Sequence, residues 1–222
     1  MPRRITGSMF VTLDGVIQAP GGPQEDTTGG FTEGGWVFRM GDDGIADTLG
    51  EIFSREFDLL LGRRTYEIFA AYWPYVAGDA IGEAFNRAGK YVLTRGGHAL
   101  GWQNTTAIPD VEAIAALKAQ DGPDLLIQGS STLYPQLVAA GLLDELTLIR
   151  FPIVVGSGKQ LFGERTPAQC WNVTEPKVTP KGTIIATYRP EGPPPPYPAN
   201  APAPSTSERE QDRQKQMQAG TW

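Results

Sequence analysis

The chain has 222 residues, of which 40% are hydrophobic, and a formal net charge of −6, a composition typical of a globular protein long enough for one α/β core. The negative charge argues against the broad basic surface that nucleic acids require. One cysteine and one histidine exclude an intrachain disulfide and a histidine-rich metal site. No apolar run approaches the roughly 20 residues that span a bilayer. We therefore expect a cytoplasmic protein without a metal ion, a nucleic-acid partner or a membrane segment.

Predicted strands and helices alternate along most of the chain. The first strand, residues 5–13, ends at the turn signal Asp14-Gly15. Apolar spacing then predicts helices at 44–56, 64–72, 81–88, 111–118 and 132–140, and strands at 57–61, 90–95, 105–108, 124–128 and within 141–150. Two alternating segments, 170–178 and 183–188, flank a turn and predict an antiparallel hairpin. This order predicts an α/β fold whose mostly parallel sheet is covered by helices and ends in antiparallel strands.

Two segments stand apart from this alternation. Residues 18–43 are rich in glycine and proline, and a loop of that length is usually a lid over a site or a mobile insertion. Phe31, Trp36 and Phe38 favour a lid that packs. Residues 190–222 begin with a stretch, 190–204, that holds eight prolines and continue as a polar tail, which predicts an extended or disordered arm outside the domain formed by residues 1–189.

Two predicted strand-to-helix junctions have the features of phosphate sites. In the first, an apolar strand passes through Gly62 into a helix that opens with Arg63-Arg64-Thr65; in the second, a buried strand runs into Gly129-Ser130-Ser131-Thr132. Such junctions direct backbone N–H groups and the positive end of the helix dipole at one point, where an anion binds. Two of them in one domain suggest a dinucleotide. No Gly-x-Gly-x-x-Gly follows the first strand and no Walker lysine occurs, so the pattern is neither of the common nucleotide-binding motifs.

Five ordered motifs extend this pattern over about residues 5 to 189. They are MFVTLDGVI (9–17), LGRRTYE (61–67), VLTR (92–95), GSSTLY (129–134), and GLLDEL (141–146) with Pro152 and GSGKQLF (156–162). Together they resemble the dihydrofolate-reductase-like family, and more closely its branch related to the reductase (C-terminal) domain of the bacterial riboflavin biosynthesis deaminase-reductase. The resemblance implies a three-layer α/β/α fold around a mixed sheet, NADPH as cofactor, and hydride transfer to a nitrogen heterocycle or a sugar-derived imine.

The resemblance also assigns residues to parts of NADPH. It places Gly62, Arg63, Arg64 and Thr65 at the adenosine side; Leu93, Thr94 and Arg95 in the motif that meets the 2′-phosphate; Gly129, Ser130, Ser131 and Thr132 at the pyrophosphate; Leu133 and Tyr134 on the path toward the nicotinamide; and Ile17 over the nicotinamide ring. A second guanidinium near the 2′-phosphate favours NADPH over NADH.

Two departures from the family pattern concern this site. The family usually has Gly-Gly where this chain has Gly129-Ser130, and the serine adds a hydroxyl that can donate to phosphate. Folate reductases place a carboxylate on the helix after the lid, a spacing that Asp47 nearly matches. Asp47 and Asp14 are the candidate catalytic residues, positioning either the transferred proton or the substrate's ring nitrogens. Each also fits an ordinary structural role, Asp14 as a turn residue and Asp47 as an acid in the first turn of a helix.

Three functions are open at this stage. The first is an NADPH-dependent reductase acting on a small heterocyclic or imine-type substrate. The second is 5-amino-6-(5-phosphoribosylamino)uracil reductase, which needs a further basic cluster where the sequence shows scattered Lys and Arg. The third is a non-catalytic cofactor-binding or scaffold protein whose arm, residues 190–222, clasps another subunit in a homodimer. Asp144 and Glu145 fit a structural role at a strand entrance, and neither His98, which fits an exposed loop, nor Cys170 is assigned chemistry.

Overall fold

The computed structural model describes residues 2–96, 99–163, 166–202 and 205–221. The strands are β1 (Ile5–Thr12), β2 (Phe57–Gly62), β3 (Lys90–Leu93), β4 (Thr105–Ile108), β5 (Asp124–Gln128), β6 (Glu145–Phe151), β7 (Cys170–Val178) and β8 (Ile184–Gly192). The helices are α1 (Trp36–Met40), α2 (Ala46–Phe53), α3 (Arg63–Ala70), α4 (Ala80–Arg87), α5 (Val111–Lys118), α6 (Leu133–Ala139) and α7 (Glu208–Gln218).

These strands belong to one sheet with the order β4-β3-β2-β5-β1-β6-β8-β7. The pairs from β4 to β6 are parallel, whereas β8 runs antiparallel to both β6 and β7. The prediction of a mostly parallel mixed sheet that ends in an antiparallel hairpin is confirmed.

The alternation of side chains along the central strands produces a core on each face of the sheet. In β2, Leu60 enters one core with residues of α5 and α6, while Leu59 and Leu61 enter the other with Tyr66 of α3 and Phe85 of α4. Helices are needed on both faces because a parallel strand such as β2 is buried on both sides. The result is the predicted three-layer α/β/α arrangement.

A third core cluster holds the segment 18–43. Trp36 is fully buried, packs edge-on against Phe151 of β6 with ring centroids 5.6 Å apart, and donates its indole N–H to the Gln18 carbonyl at 2.9 Å. Phe31 is also buried, whereas Phe38 is 76% exposed. The prediction that aromatic residues pack this segment therefore holds for Phe31 and Trp36 and is wrong for Phe38, whose side chain is exposed and lies along the cleft described below.

The C-terminal region contains more regular structure than its composition suggests. Strand β8 extends through Pro190 to Gly192, because Pro190 and Gly192 pair with Trp171 and Cys170 at the start of β7. The polar part of the tail, for which the sequence suggests an extended or disordered chain, contains the helix α7, capped by the Ser207 hydroxyl. None of the residues of α7 is buried, so this helix contributes nothing to the cores of the domain.

Candidate active site

A large cleft opens where the parallel strands β2, β3 and β5 end. Their carboxyl ends lie at the same edge of the sheet, the position at which open α/β sheets bind ligands. The cleft has a volume of about 1360 Å³. Most of the predicted cofactor residues line it, namely Ile17, Gly62, Arg63, Arg64, Thr65, Leu93, Thr94, Arg95, Gly129, Ser130, Ser131, Thr132 and Leu133.

Two hydrogen bonds join the β2–α3 and β5–α6 junctions, which together we call the cradle. The Gly62 N–H donates to the Ser130 hydroxyl at 2.9 Å, and the Ser130 N–H donates to the Thr65 hydroxyl at 3.0 Å. These bonds hold two segments that are 65 residues or more apart in the sequence. The two anion sites expected from the sequence thus form a single surface.

The backbone of the second junction has a conformation that few residues adopt. Gly129 and Ser130 have φ angles of 73° and 56°, in the left-handed region. A Cβ atom at Gly129 would lie 3.0 Å from Cγ2 of Thr65, so the close approach of the two junctions requires glycine here. Ser130 departs from the Gly-Gly pattern of the family, and its side chain accepts the Gly62 N–H instead of projecting across the cradle.

The arginines at the cradle differ in their partners. Arg63 donates to Glu67 one turn along α3 at 2.6 Å, and its guanidinium lies over the Tyr66 ring. Arg64 and Arg95 are exposed and line the cleft. Within the part of the chain that the structure describes, neither has a hydrogen bond or an ion pair. Arg64 and Arg95 are therefore the guanidinium groups available to an anion in the cleft.

The structure places Tyr134 in the core and not along the cleft. Its side chain is fully buried beneath β1, and its hydroxyl donates to the Ile127 carbonyl at 3.4 Å. A Cβ atom on Gly7 would lie 2.7 Å from the tyrosine ring, so glycine in β1 makes room for it. Burial raises the pKa of the phenol. The one-residue step from Leu133 to Tyr134 explains the difference, because neighbouring residues of a helix face in different directions.

Asp14 lies outside the cleft and stabilises a turn. It accepts hydrogen bonds from the Thr12 hydroxyl at 2.5 Å and the Gly156 N–H at 2.8 Å, and a longer one from Val155 N–H. Burial opposes ionisation of this carboxyl group, but the three hydrogen bonds outweigh it and lower the pKa of Asp14. These contacts make Asp14 a structural anchor for the loop after β6.

Asp47 also lies outside the cleft. It is exposed in the first turn of α2, whose cleft-facing residues are Ile45, which immediately precedes the helix, Leu49 and Phe53. These three residues recur every four positions, and Asp47 falls between them on a different face. The helix after the lid thus presents apolar side chains to the cleft, and not Asp47.

The start of the segment 18–43, residues 18–26, supplies cleft residues that sequence reasoning missed. Gln18 is buried, accepts the Lys159 N–H at 3.0 Å and donates to the carbonyls of Asp26 and Thr28 at 3.0 and 2.9 Å. Lys159 also forms an ion pair with Asp26. Gln18 therefore ties this part of the loop to the 156–159 loop. Two features of the sequence could have indicated these cleft residues: the glutamine that follows Ile17, and the lysine of the GSGKQLF motif.

Glu25 is a carboxyl group of the cleft whose pKa is raised. It lines the cleft, and one of its oxygens accepts the N–H groups of Gly21 and Gly22 at 2.7 and 3.1 Å. Burial raises the pKa of Glu25; these N–H groups partly offset the rise, and the charge of Asp26 adds to it. The pKa of Asp26 moves the other way, because hydrogen bonds from Lys159 and Thr28 outweigh its burial.

Two stretches of uncharged side chains line part of the cleft, and we call this part the apolar groove. One wall is α2 with the residue before it, and the other runs from α3 to α4. The lining residues of these walls are Ile45, Leu49, Phe53, Ile68, Phe69, Ala71, Tyr72, Trp73, Ile81 and Phe85. Phe85 links the walls, with its ring centroid 5.4 Å from that of Phe53 and 5.6 Å from that of Phe69.

Comparison with known proteins agrees with this geometry. The model of the RibD C-terminal domain matches residues 3–185. The chain belongs to the RibD C-terminal domain family. The uncharacterized protein YyaP of Bacillus subtilis is 28% identical over 165 residues, which are 72% of this chain and 80% of YyaP. The resemblance identified from the sequence motifs is thereby confirmed.

Solved structures share the fold. A protein from Shewanella sp. PV-4 that is provisionally named for riboflavin biosynthesis has a TM-score of 0.62 at 21% identity, covering 85% of this chain and 99% of its own. Dihydrofolate reductase from Enterococcus faecalis, complexed with NADP(H), has a TM-score of 0.51 at 17% identity, covering 84% and 96%. A pyrimidine reductase-like protein from Corynebacterium diphtheriae has a TM-score of 0.56 at 15% identity, covering 85% and 92%. The fold is dihydrofolate-reductase-like.

Two further observations concern other kinds of site. Among the described residues, no group of three or more His, Cys, Asp or Glu side chains is placed to hold a metal ion. No described helix is long and apolar enough to cross a membrane. His98, which the sequence suggests is an exposed loop residue, lies outside the described residues.

Proposed function

We propose that this protein is an NADPH-dependent reductase that transfers a hydride to a small heterocyclic or imine-type substrate. Membership of the RibD C-terminal domain family supports a reductase-type activity. The single observation that carries the assignment of the cofactor is the cradle, in which two strand-to-helix junctions meet beside the exposed guanidinium groups of Arg64 and Arg95. A ligand with several phosphates satisfies such a surface.

The cradle residues fit a dinucleotide phosphate. Gly129 leaves a space that a Cβ atom would fill, which allows a ligand to approach the backbone. Arg64 would bind a phosphate at the start of α3, and Arg95 would bind the 2′-phosphate after β3. Each such charge-assisted contact is worth about 1.5–3 kcal/mol. When bound, NADPH would supply the hydride, and the protein's part is to hold the acceptor beside it and exclude water.

Glu25 would supply the proton that accompanies the hydride. Of the lining carboxylates, Asp26 is ion-paired with Lys159, Asp110 caps α5 by accepting the Ala113 N–H, and Glu112 lies on the first turn of that helix. Glu25, in contrast, has a raised pKa and lies on a loop that lines the same cleft as the apolar groove. A raised pKa favours the protonated form of the carboxyl group, which a general acid needs.

Titration of the full chain with NADPH, followed by tryptophan fluorescence, tests the cofactor assignment. We expect saturable binding that Arg64→Ala and Arg95→Ala each weaken by about tenfold or more, in keeping with the loss of one charge-assisted contact. Arg95→Ala is expected to weaken NADPH binding more than NADH binding, since its proposed partner is the 2′-phosphate.

Arg87→Ala is the matched control, because Arg87 is an exposed arginine on α4 that does not line the cleft. Its NADPH affinity should equal that of the unaltered chain. Absence of saturable binding, or equal affinities in all three variants, would refute the proposed function. Saturable binding without NADPH oxidation by pteridines, flavin precursors or quinoid compounds would instead favour a non-catalytic cofactor-binding protein.

A further inference from the structure

The apolar groove and the cradle line the same cleft, so an inference about the acceptor rests on the proposed function. Its described walls carry aliphatic and aromatic side chains from Ile45 to Phe85 and no ionisable group except the Tyr72 phenol. The described cations that line the whole cleft are Arg63, Arg64, Arg95 and Lys159. The three arginines lie at the cradle, and Lys159 is paired with Asp26. An anionic group in the groove would lose its hydration without gaining a cation, which is costly.

Aromatic side chains make up much of the lining of the groove. The Phe69 and Phe85 rings stack on each other at 21°, and Trp73 packs edge-on against Phe85 with centroids 5.1 Å apart. Tyr72 is 56% exposed at the mouth of the groove. Aromatic walls of this kind stabilise a planar ring by stacking and by burial of apolar surface.

We propose that the acceptor is an uncharged, planar, conjugated carbonyl or imine compound, and that phosphorylated aminopyrimidines are excluded. The acceptor gains a hydride from the reduced nicotinamide at an electrophilic carbon and a proton at its carbonyl oxygen or imine nitrogen. These changes leave NADP⁺ and the two-electron-reduced acceptor. The specificity arises from the groove. A phosphate group would find no cation on the described walls of the groove, whereas a neutral ring would contact aromatic side chains on both walls.

Two probes of the same shape and different charge test this assignment, namely naphthoquinone and naphthoquinone sulfonate. Their binding to the full chain is measured by quenching of tryptophan fluorescence without NADPH, because Trp73 lines the groove. We expect naphthoquinone to bind at least about tenfold more tightly than its sulfonate, because the charged sulfonate group loses its hydration on entering the groove. Naphthoquinone should also support faster NADPH oxidation than its sulfonate.

Tyr72→Arg and Tyr75→Arg are the matched variants. Both tyrosines are exposed, so neither substitution removes a core residue, but Tyr72 lines the groove and Tyr75 does not. Tyr72→Arg should raise the affinity for the sulfonate and lower that for naphthoquinone, each by about threefold. Tyr75→Arg should change neither.

The outcomes separate this inference from the proposed function. Equal affinities for the two probes, or equal effects of the two variants, would overturn the inference, whatever the result of the NADPH titration. A preference for naphthoquinone that Tyr72→Arg largely removes would support the assignment of the groove, even if NADPH failed to bind. Failure of the NADPH titration would then refute the proposed function alone.

Discussion

Glu25 gives the proposed reaction a pH dependence. Burial raises the pKa of its carboxyl group, which therefore stays protonated to a higher pH than an ordinary glutamate. An acid that must donate a proton is inactive once ionised, so kcat/KM should fall as the pH rises through the pKa of Glu25. We expect Glu25→Gln to abolish this fall and to lower kcat by about 10²–10⁴-fold, with the dissociation constant for NADPH unchanged.

The control for this prediction lies on the same loop. Glu33 is a partly exposed glutamate that pairs with Arg39 and does not line the cleft. Glu33→Gln should retain both the rate and the pH profile of the unaltered protein. Retention of the high-pH fall in Glu25→Gln would show that another group donates the proton.

Thr65 tests whether the hydrogen bonds of the cradle stabilise the fold. Its hydroxyl accepts the Ser130 N–H, and its methyl group packs near Gly129. Thr65→Val keeps the methyl group and leaves the N–H without an acceptor, which should lower the free energy of unfolding by about 1–3 kcal/mol. Thr65→Ser keeps the hydroxyl and should cost less in a denaturant titration. A larger loss in Thr65→Ser would assign the stabilisation to the methyl contact instead.

At the level of elements, the segment 18–43 is anchored at its far end by α1. Trp36→Phe removes the hydrogen bond to the Gln18 carbonyl and leaves a smaller ring in the third core. A loss of about 1.4 kcal/mol in the free energy of local opening multiplies the open population tenfold. We therefore expect glutamyl endopeptidase to cleave this variant after Glu25 and Glu33 about tenfold faster or more.

Phe38 is the comparison for this experiment, because it belongs to the same helix and is exposed. Phe38→Ala should leave the cleavage rate close to that of the unaltered protein. Equal acceleration in both variants would mean that the helix as a whole, and not the buried indole, holds the segment.

At the scale of the whole molecule, we predict that the tail is separable from the domain. Regular pairing ends at Gly192, and none of the residues of α7 is buried. Truncation after Gly192 should leave the free energy of unfolding and the NADPH affinity unchanged, because no core contact is removed. Size-exclusion chromatography of the same variant tests the proposed clasp, since a homodimer held by the arm would become a monomer. A large loss of stability would contradict the assignment of the tail as peripheral.

Local patterns in the sequence predicted the fold. The continuous apolar run Leu59-Leu60-Leu61 can be satisfied only by burial on both faces of a sheet, and the turn before Ile184 fixes a hairpin. The same local logic located the cradle, because a glycine followed by arginines at a helix start is typical of an anion site. The helix within residues 208–218 was missed, since it buries nothing and so leaves no apolar pattern.

The sequence by itself determined the α/β class, the family and the two halves of the cradle, because each depends on neighbouring residues or on motif order. Only the tertiary structure decided which side chains face the cleft. It placed Tyr134 in the core, Asp14 in a turn and Asp47 on the outer face of α2, and it brought Glu25 to the cleft. The direction of a side chain depends on partners distant in the chain, and no local pattern encodes those contacts.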